Sequence, residues 1–452
     1  MDKNDILECN IEDINTDGHG VGRCSGHVIF VPGALPGEHV RVKIILVKKK
    51  YSVGRLLDIL TPSPQRQSPP CRYFTKCGGC TLQHLSYAGQ LAFKHAHVES
   101  CLQRIAKQTG TSVAFPLPAR AQYRYRNKAA FPVQSSNTGV NVGLYAPRSH
   151  DVVDIDDCLL QSEVVKIVMS QLRVWIVKYA ISVYDEKTGK GLLRHIVIRE
   201  NSAGEIMVIF SINGEDIPHQ RELLTLVRFV LPQIKSIILS INQQNTNVIL
   251  GDRYRAIYGR DYLYETIDGL DFRFGPHSFL QVNTAQSEAL YRNLVKEMAF
   301  SSDETLLDLF CGVGTIALLC ARHVKRVYGV EIVEQAAENA RFNAKMNAIE
   351  NAEFFCGNVD KVIDQAIQTA APIHSVIVDP PRKGLAEQLI HTIAAQISPK
   401  KIGYVSCDPA TFARDLAIFT ELGYTARAVQ PIDMFPQTTH VECLTVLTKA
   451  NG

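Results

Sequence analysis

The chain predicts an α/β protein: a doubly wound parallel sheet in its C-terminal part, preceded by a small β-barrel and a central α+β domain. Three observations carry this. First, Leu306-Leu307-Asp308-Leu309-Phe310 runs into the glycine turn Cys311-Gly312-Val313-Gly314, and residues 315–322 then read as a helix. That is the strand, turn and helix of a nucleotide-binding α/β unit. Second, the apolar runs 326–330, 375–378 and 402–405 each lead to a polar group, Glu331, Asp379 and Cys407. Such groups at the carboxyl ends of successive strands face one crevice. Third, residues 9–60 alternate apolar and polar positions, as an antiparallel barrel does.

Taken in order, residues 1–60 form the barrel. Val28-Ile29-Phe30-Val31, Val40-Arg41-Val42-Lys43-Ile44 and residues 51–59 are its strands, punctuated by six glycines between 18 and 37. Thr61-Pro62-Ser63-Pro64 and Ser68-Pro69-Pro70 mark a linker. Residues 61–264 form the central domain, with strand-like runs at 196–198, 206–212 and 236–241. Residues 265–452 form the doubly wound domain. A length of 452 residues supports several domains and a sizeable core. With 46% hydrophobic and 21% charged residues and no run of eighteen apolar ones, the expectation is a globular cytoplasmic monomer, without signal peptide or membrane partner.

Net charge is only +3, but its distribution is uneven. Residues 61–130 carry ten Lys/Arg against the single acid Glu99, whereas residues 1–60 balance at eight of each. A concentrated basic block is the footprint of a polyanion. It includes Arg120, Arg124, Arg126 and Lys128, interleaved with Tyr123 and Tyr125. Charge for phosphates beside faces for splayed bases suits unpaired RNA better than DNA. Lys48 and Lys49, in a turn of the barrel, are further candidates for a phosphate backbone.

Twelve cysteines in a chain of this length point to a reducing compartment with metal-bound or catalytic thiols rather than a disulfide scaffold. Cys71, Cys77 and Cys80 are spaced C-x5-C-x2-C around Gly78-Gly79, and Cys158 follows far downstream. Glycines there free backbone N–H groups to point at sulfur. Cys407 stands at a strand end, where a thiol is placed to attack into a cleft. Glu442, just before the last apolar run, is placed to act there as a general base. In isolation a cysteine is more often a small hydrophobe; the company it keeps decides.

Five segments occur in order: Ser278-Phe279-Leu280-Gln281-Val282-Asn283, Asp308-Leu309-Phe310-Cys311-Gly312, Asp379-Pro380-Pro381-Arg382, Ser406-Cys407-Asp408-Pro409-Ala410-Thr411 and His440-Val441-Glu442. Together they resemble the RNA uracil-C5 methyltransferases that use S-adenosylmethionine, over nearly the whole chain. The resemblance implies a Rossmann-like methyltransferase domain, with Cys407 as nucleophile, Glu442 as base and Asp379 at the reaction centre. It implies Gln281, Phe310, Thr315, Glu331, Asn358 and Asp379 around the cofactor. Thr315 departs from relatives that carry Asn there, and Asn358 also fits an ordinary turn. Enzymes that methylate exocyclic amines share Asp-Pro-Pro but need no thiol. DNA cytosine methyltransferases carry theirs earlier in the fold.

The barrel resembles the TRAM domain, an OB-like RNA-binding module. Relatives with the cysteine arrangement hold a 4Fe-4S cluster, which implies Cys71, Cys77, Cys80 and Cys158 as ligands; structural zinc is the alternative. Barrel and cluster together make the chain look most like bacterial enzymes acting on 23S ribosomal RNA, with transfer RNA as the alternative substrate. A non-catalytic RNA-binding iron–sulfur protein and a dinucleotide-dependent reductase are the readings from other classes. The first leaves Cys407, Glu442 and Asp379 intact without purpose; the second leaves Cys407 and the basic block unexplained.

Overall fold

The computed structural model describes residues 1–24, 26–107, 110–137, 139–370 and 372–449, less the side chain of Asp360. Strands β1 (Ile6–Ile14), β2 (His19–Cys24), β3 (His27–Pro32), β4 (His39–Val47) and β5 (Tyr51–Thr61) close a barrel in the order β1-β2-β3-β5-β4. Its alternating inward residues, among them Ile11, Ile29, Val31, Val40, Val42 and Ile44, make a core of their own. The expected all-antiparallel pairing is corrected at one seam, where β3 and β5 run parallel. The reason is topological: β4 crosses over to pair with β1, so β5, returning along β4, meets β3 in the same direction.

The segment carrying Cys71, Cys77 and Cys80 has no regular element. Helix α1 (Tyr87–Cys101) follows, capped by Ser86, whose hydroxyl accepts from the Gly89 N–H. After it comes β6 (Ser112–Val113). Both α1 and β6 lie with the C-terminal domain rather than with the strands that follow them.

The central sheet contains β7 (Lys128–Ser136), β8 (Gly139–Tyr145), β9 (Val152–Asp154), β10 (Leu193–Glu200), β11 (Ile206–Ile212), β12 (Ile234–Ile241) and β13 (Arg253–Gly259), in the order β13-β12-β11-β10-β7-β8-β9. One face, with Ile196, Val208, Phe210 and Ile237, packs on α2 (Glu163–Lys178) and α3 (Gln220–Val230). The other, with Val197, Met207, Ile209 and Ile238, joins the core of the C-terminal domain. Burial on both faces explains why β10 to β12 read as near-continuous apolar runs.

The hairpin β14 (Leu263–Ile267) and β15 (Leu270–Phe274) leads to α4 (Thr284–Met298) and the C-terminal sheet. In chain order this holds β16 (Thr305–Leu309), α5 (Thr315–Ala321), β17 (Arg326–Glu331), α6 (Glu334–Met346), β18 (Ala352–Cys356) and α7 (Val359–Ala370). It continues with β19 (Ser375–Val378), α8 (Glu387–His391), β20 (Lys401–Ser406), α9 (Pro409–Glu421), β21 (Tyr424–Ile432) and β22 (Glu442–Lys449). Strand order is β18-β17-β16-β19-β20-β22-β21-β6, parallel through β20, with β22 antiparallel to both neighbours. The chain winds outward in opposite directions from β16, so a crevice opens above β16 and β19. Among the described residues no helix is long and apolar enough to cross a membrane.

Candidate active site

A cleft of about 730 Å³ opens at the carboxyl ends of β16, β17, β19 and β20. Its first wall is the turn after β16. Phe310 lies in the left-handed region at φ 67°, as do Gly312 and Gly314. Phe310 has a Cβ, so this conformation is strained, as backbone at ligand sites often is. A Cβ on Gly314 would meet Ala340 at 3.1 Å and the Phe354 ring at 3.2 Å, so glycine is required there. Gly312 faces open cleft. Glu331, ending β17, accepts from the Gly312 N–H at 2.9 Å and the Val333 N–H at 2.8 Å. Its carboxylate therefore holds the turn while lining the cleft. Asn358 and Gln281 also line it. Thr315, the first residue of α5, is buried behind the turn and is absent from the lining residues.

Cys407 leaves β20 directly before Asp408, the N-cap of α9, whose carboxylate accepts from the Ala410 and Thr411 N–H groups, each at 3.0 Å. Ser406 pairs with Cys443 across β20 and β22, so one step further Cys407 comes beside Glu442. Glu442 is 1% exposed, and among the described residues its Oε2 has no hydrogen-bond partner. Burial, then the Asp379 charge, pushes its carboxyl up to about 8, against the opposing pull of Arg382. Burial pushes Asp379 up to about 7. The Cys407 thiol rises to about 11, through burial and then the Glu442 and Asp379 charges, with Arg382 opposing. Asp308 lies fully buried below, its carboxyl also raised by burial and by Asp379.

Other parts of the chain aim this site. Buried Arg199 of β10 donates to the carbonyls of Gly275 (2.6 Å) and Ser278 (2.8 Å), and so holds the loop that presents Phe279 and Gln281. The loop before Glu442 is held from every side. Lys94 of α1 forms an ion pair with Asp433, both wholly buried. The Gln437 carbonyl accepts from the Thr81 and Leu82 N–H groups, Tyr125 donates to the Pro436 carbonyl, and Thr439 donates to Thr16 of the barrel.

The four cysteines singled out above meet. Cys71, Cys77, Cys80 and Cys158 line one cavity of about 410 Å³, although Cys158 is distant in sequence. The Gly79 N–H donates to Cys77 Sγ at 3.3 Å. Burial, together with the neighbouring thiols, pushes Cys77 up to about 11 and Cys80 to about 12. Among the described residues no group of three or more His, Cys, Asp or Glu side chains stands ready-made around a metal position; the thiols share a cavity wall.

The basic residues divide. Arg124, expected as an RNA contact, grips Asp157 through both Nη atoms (2.7 and 2.8 Å) and the carbonyls of Cys158 and Gln161. Its fork is spent in holding Cys158 in place. Lys128 lines the cysteine cavity, and burial, then Arg199 and Arg126, lowers it to about 8. Arg126 lines both the cleft and the cysteine cavity. Arg120, Lys48 and Lys49 are exposed. Sequence reasoning gave no role to Phe279, Arg382 or His440, which also line the cleft. Each sits inside one of the five motif segments, which was the available signal.

Residues 233–450 match the family described as tRNA (Uracil-5-)-methyltransferase, and residues 3–57 match the TRAM domain. An uncharacterized RNA methyltransferase of Listeria innocua is 43% identical over 449 residues, covering 99% of this chain and 98% of that protein. One from Halalkalibacterium halodurans is 41% identical, covering 100% and 98%. Among solved structures, the tRNA (uracil-54, C5)-methyltransferase of Pyrococcus abyssi, in complex with S-adenosyl-L-homocysteine, superposes with a TM-score of 0.79 at 31% identity, covering 98% of this chain and 99% of that one. The barrel is thus a TRAM domain, the C-terminal sheet is an S-adenosylmethionine-type methyltransferase fold, and the chain belongs to the RNA (uracil-5-)-methyltransferase family.

Proposed function

We propose that this protein transfers a methyl group from S-adenosylmethionine to carbon 5 of a uridine in folded RNA, through a covalent bond from Cys407. The observation that carries the reading is the placement of Cys407 beside Glu442 and Asp379 in one cleft, on adjacent strands. Carbon 5 of uracil is a weak nucleophile. Addition of a thiolate at carbon 6 turns the ring into an enolate, which is reactive at carbon 5. Glu442, once it has given up its own proton to solvent, then takes the carbon 5 proton, and the carbon 6–sulfur bond breaks to return the thiolate. Its buried environment keeps the group near neutrality, where an acid–base catalyst works best.

The cleft fits the cofactor. It offers a glycine turn with open space before Gly312, the acid Glu331 for hydroxyl groups, and the acidic cluster of Asp379 and Glu442 for a positive centre. S-adenosylmethionine supplies an electrophilic methyl on a sulfonium. Gln281, Phe310, Glu331, Asn358 and Asp379 hold it in this reading, with Thr315 supporting the turn from behind. Four thiols line one void beside Arg126 and Lys128, a donor set whose chemistry suits a 4Fe-4S cluster. Cys71, Cys77, Cys80 and Cys158 would ligate it, and it would brace the segment from 71 to 82 against the central domain.

Within RNA, 23S ribosomal RNA is the proposed substrate, presented by the barrel with Lys48 and Lys49, and by Arg120 and Arg126, to a monomeric enzyme. The likeness to the Pyrococcus enzyme favours transfer RNA as a second reading. The deciding experiment maps 5-methyluridine in ribosomal and transfer RNA from a strain lacking the gene. One missing site in 23S RNA supports the first reading, a missing transfer-RNA site the second, and intact methylation in both removes the function.

A further inference from the structure

Thiol addition to the ring carries a consequence. As the sulfur–carbon 6 bond forms, the carbon 5–carbon 6 electron pair shifts towards carbon 4, and negative charge collects on the carbon 4 oxygen. A donor preorganised at that oxygen lowers the barrier. Glu442, Asp379 and Cys407 offer no positive charge for it.

Arg382 does. It follows Asp379-Pro380-Pro381 on the cleft wall, and its carbonyl accepts from the Thr411 hydroxyl at 3.0 Å. Thr411 belongs to α9, the helix that begins just after Cys407, so Arg382 and Cys407 are mounted on one frame. Among the described residues, no carboxylate pairs with its guanidinium at salt-bridge distance. Arg124, by contrast, spends its fork on Asp157. Arg382 nevertheless acts on both Cys407 and Glu442 through its charge. Its Nη2 lies 3.5 Å from Nε2 of His440. Burial, then the charges of Arg382, Lys94 and Arg126, holds that imidazole neutral against the weaker pull of Asp408. Its Nε2 can therefore accept from Arg382 and aim the fork without competing for it.

We propose that Arg382, aimed by His440, is the electrophilic group of the site, donating to the pyrimidine carbonyl oxygen that gains charge while Cys407 bonds to carbon 6. This rests on the covalent reading above. The thiol gives its proton to solvent or a cleft carboxylate before attack. When carbon 5 takes the methyl group the pair returns from oxygen, and elimination restores the ring and the thiolate. Arg382 would be a catalytic residue and His440 a positioning residue.

The test uses full-length enzyme and target RNA carrying 5-fluorouridine, whose fluorine cannot leave as a cation, so the methylated adduct persists on a denaturing gel. At saturating RNA and cofactor, Arg382→Ala should slow adduct formation about 100-fold or more, with RNA and cofactor affinity within about threefold of wild type. Arg382→Lys, which keeps the charge but loses the fork, should fall between. The pH at which adduct formation is half-maximal should rise in Arg382→Ala, because the Arg382 charge opposes those of Glu442 and Asp379 at Cys407. His440→Gln, retaining an acceptor, should recover most of the rate lost in His440→Ala. If Arg382→Ala weakens RNA binding but leaves the saturated rate and pH profile unchanged, the residue is a phosphate anchor and the proposal is overturned. If wild type methylates RNA without forming any adduct, the covalent reading itself fails and the proposal falls with it.

Discussion

Cys407 and Glu442 stand across from one another at the open end of β20 and β22, one residue beyond the Ser406–Cys443 pair. Antiparallel pairing here matters. A parallel strand would have brought its amino end, and a different residue, to the far side of the sheet. Burial raises both groups, the thiol to about 11 with the Glu442 charge adding to it and the acid to about 8 with the Asp379 charge adding to it. In the free protein both therefore stay largely protonated near neutral pH.

Glu442→Gln should still add to RNA but release it slowly, because the amide cannot take the carbon 5 proton. A protein–RNA band on a denaturing gel, absent in Cys407→Ala, is the expected result. Cys407→Ala should lose all methyl transfer while binding the cofactor normally by calorimetry. Wild-type turnover by either variant would reassign the roles.

The free protein should lose stability as pH rises. Glu442 moves from an ordinary 4.5 up to about 8, and Asp379 from 3.8 up to about 7. Between each pair of values the folded state binds more protons than the unfolded state, so stability falls with increasing pH. The contribution is full below about pH 4 and gone above about pH 8. Melting temperatures of wild type and the Glu442→Gln/Asp379→Asn double variant, measured from pH 5 to 8.5, should converge at low pH. The double variant should fall less steeply.

Lys94→Met should cost about 3–5 kcal/mol, since it leaves Asp433 buried without its cation. The Asp433 carboxylate would keep the Tyr87 hydroxyl, at 2.8 Å. Because the same loop leads into Glu442, the variant should also lose activity out of proportion to its RNA affinity. Lys94→Met/Asp433→Leu should regain much of the stability in denaturant titrations.

Arg124→Ala and Arg126→Ala should separate. The first frees the 157–161 segment and should raise its proteolytic cleavage with little change in RNA affinity. The second should weaken RNA binding and reduce the salt slope by roughly 0.7, the value for one phosphate of a single strand left without its cation. Equal effects on RNA binding would restore Arg124 to the interface.

Protein purified without oxygen should be brown and contain iron and labile sulfide, and Cys77→Ser should bleach it. The fold around the site should loosen with the loss, because binding at such a site is coupled to folding. A colourless preparation with one bound zinc would assign the cavity to zinc.

The sequence alone carried the α/β class, the strand-end placement of Glu331, Asp379 and Cys407, and the cysteine spacing from 71 to 80. These are local signals: apolar runs, a glycine turn and short intervals between like residues. It misjudged what depends on partners distant in the chain. Arg124 looked like its neighbour Arg126, yet Asp157 captures one guanidinium, and the other faces the cleft. Charge pattern cannot distinguish them, because a fork's use is decided by what the fold brings within about 3 Å. The parallel β3–β5 seam was hidden for the same reason: strand alternation reports which face is buried, not which neighbour is met. Only the tertiary structure decided that α1 and β6 pack with the C-terminal sheet, that Cys158 reaches the other three thiols, and that the loop from Asp433 to Val441 is held by the barrel, α1 and the central domain at once. Long-range packing and burial set those contacts, and they determine where Glu442 stands and how readily it gives up its proton.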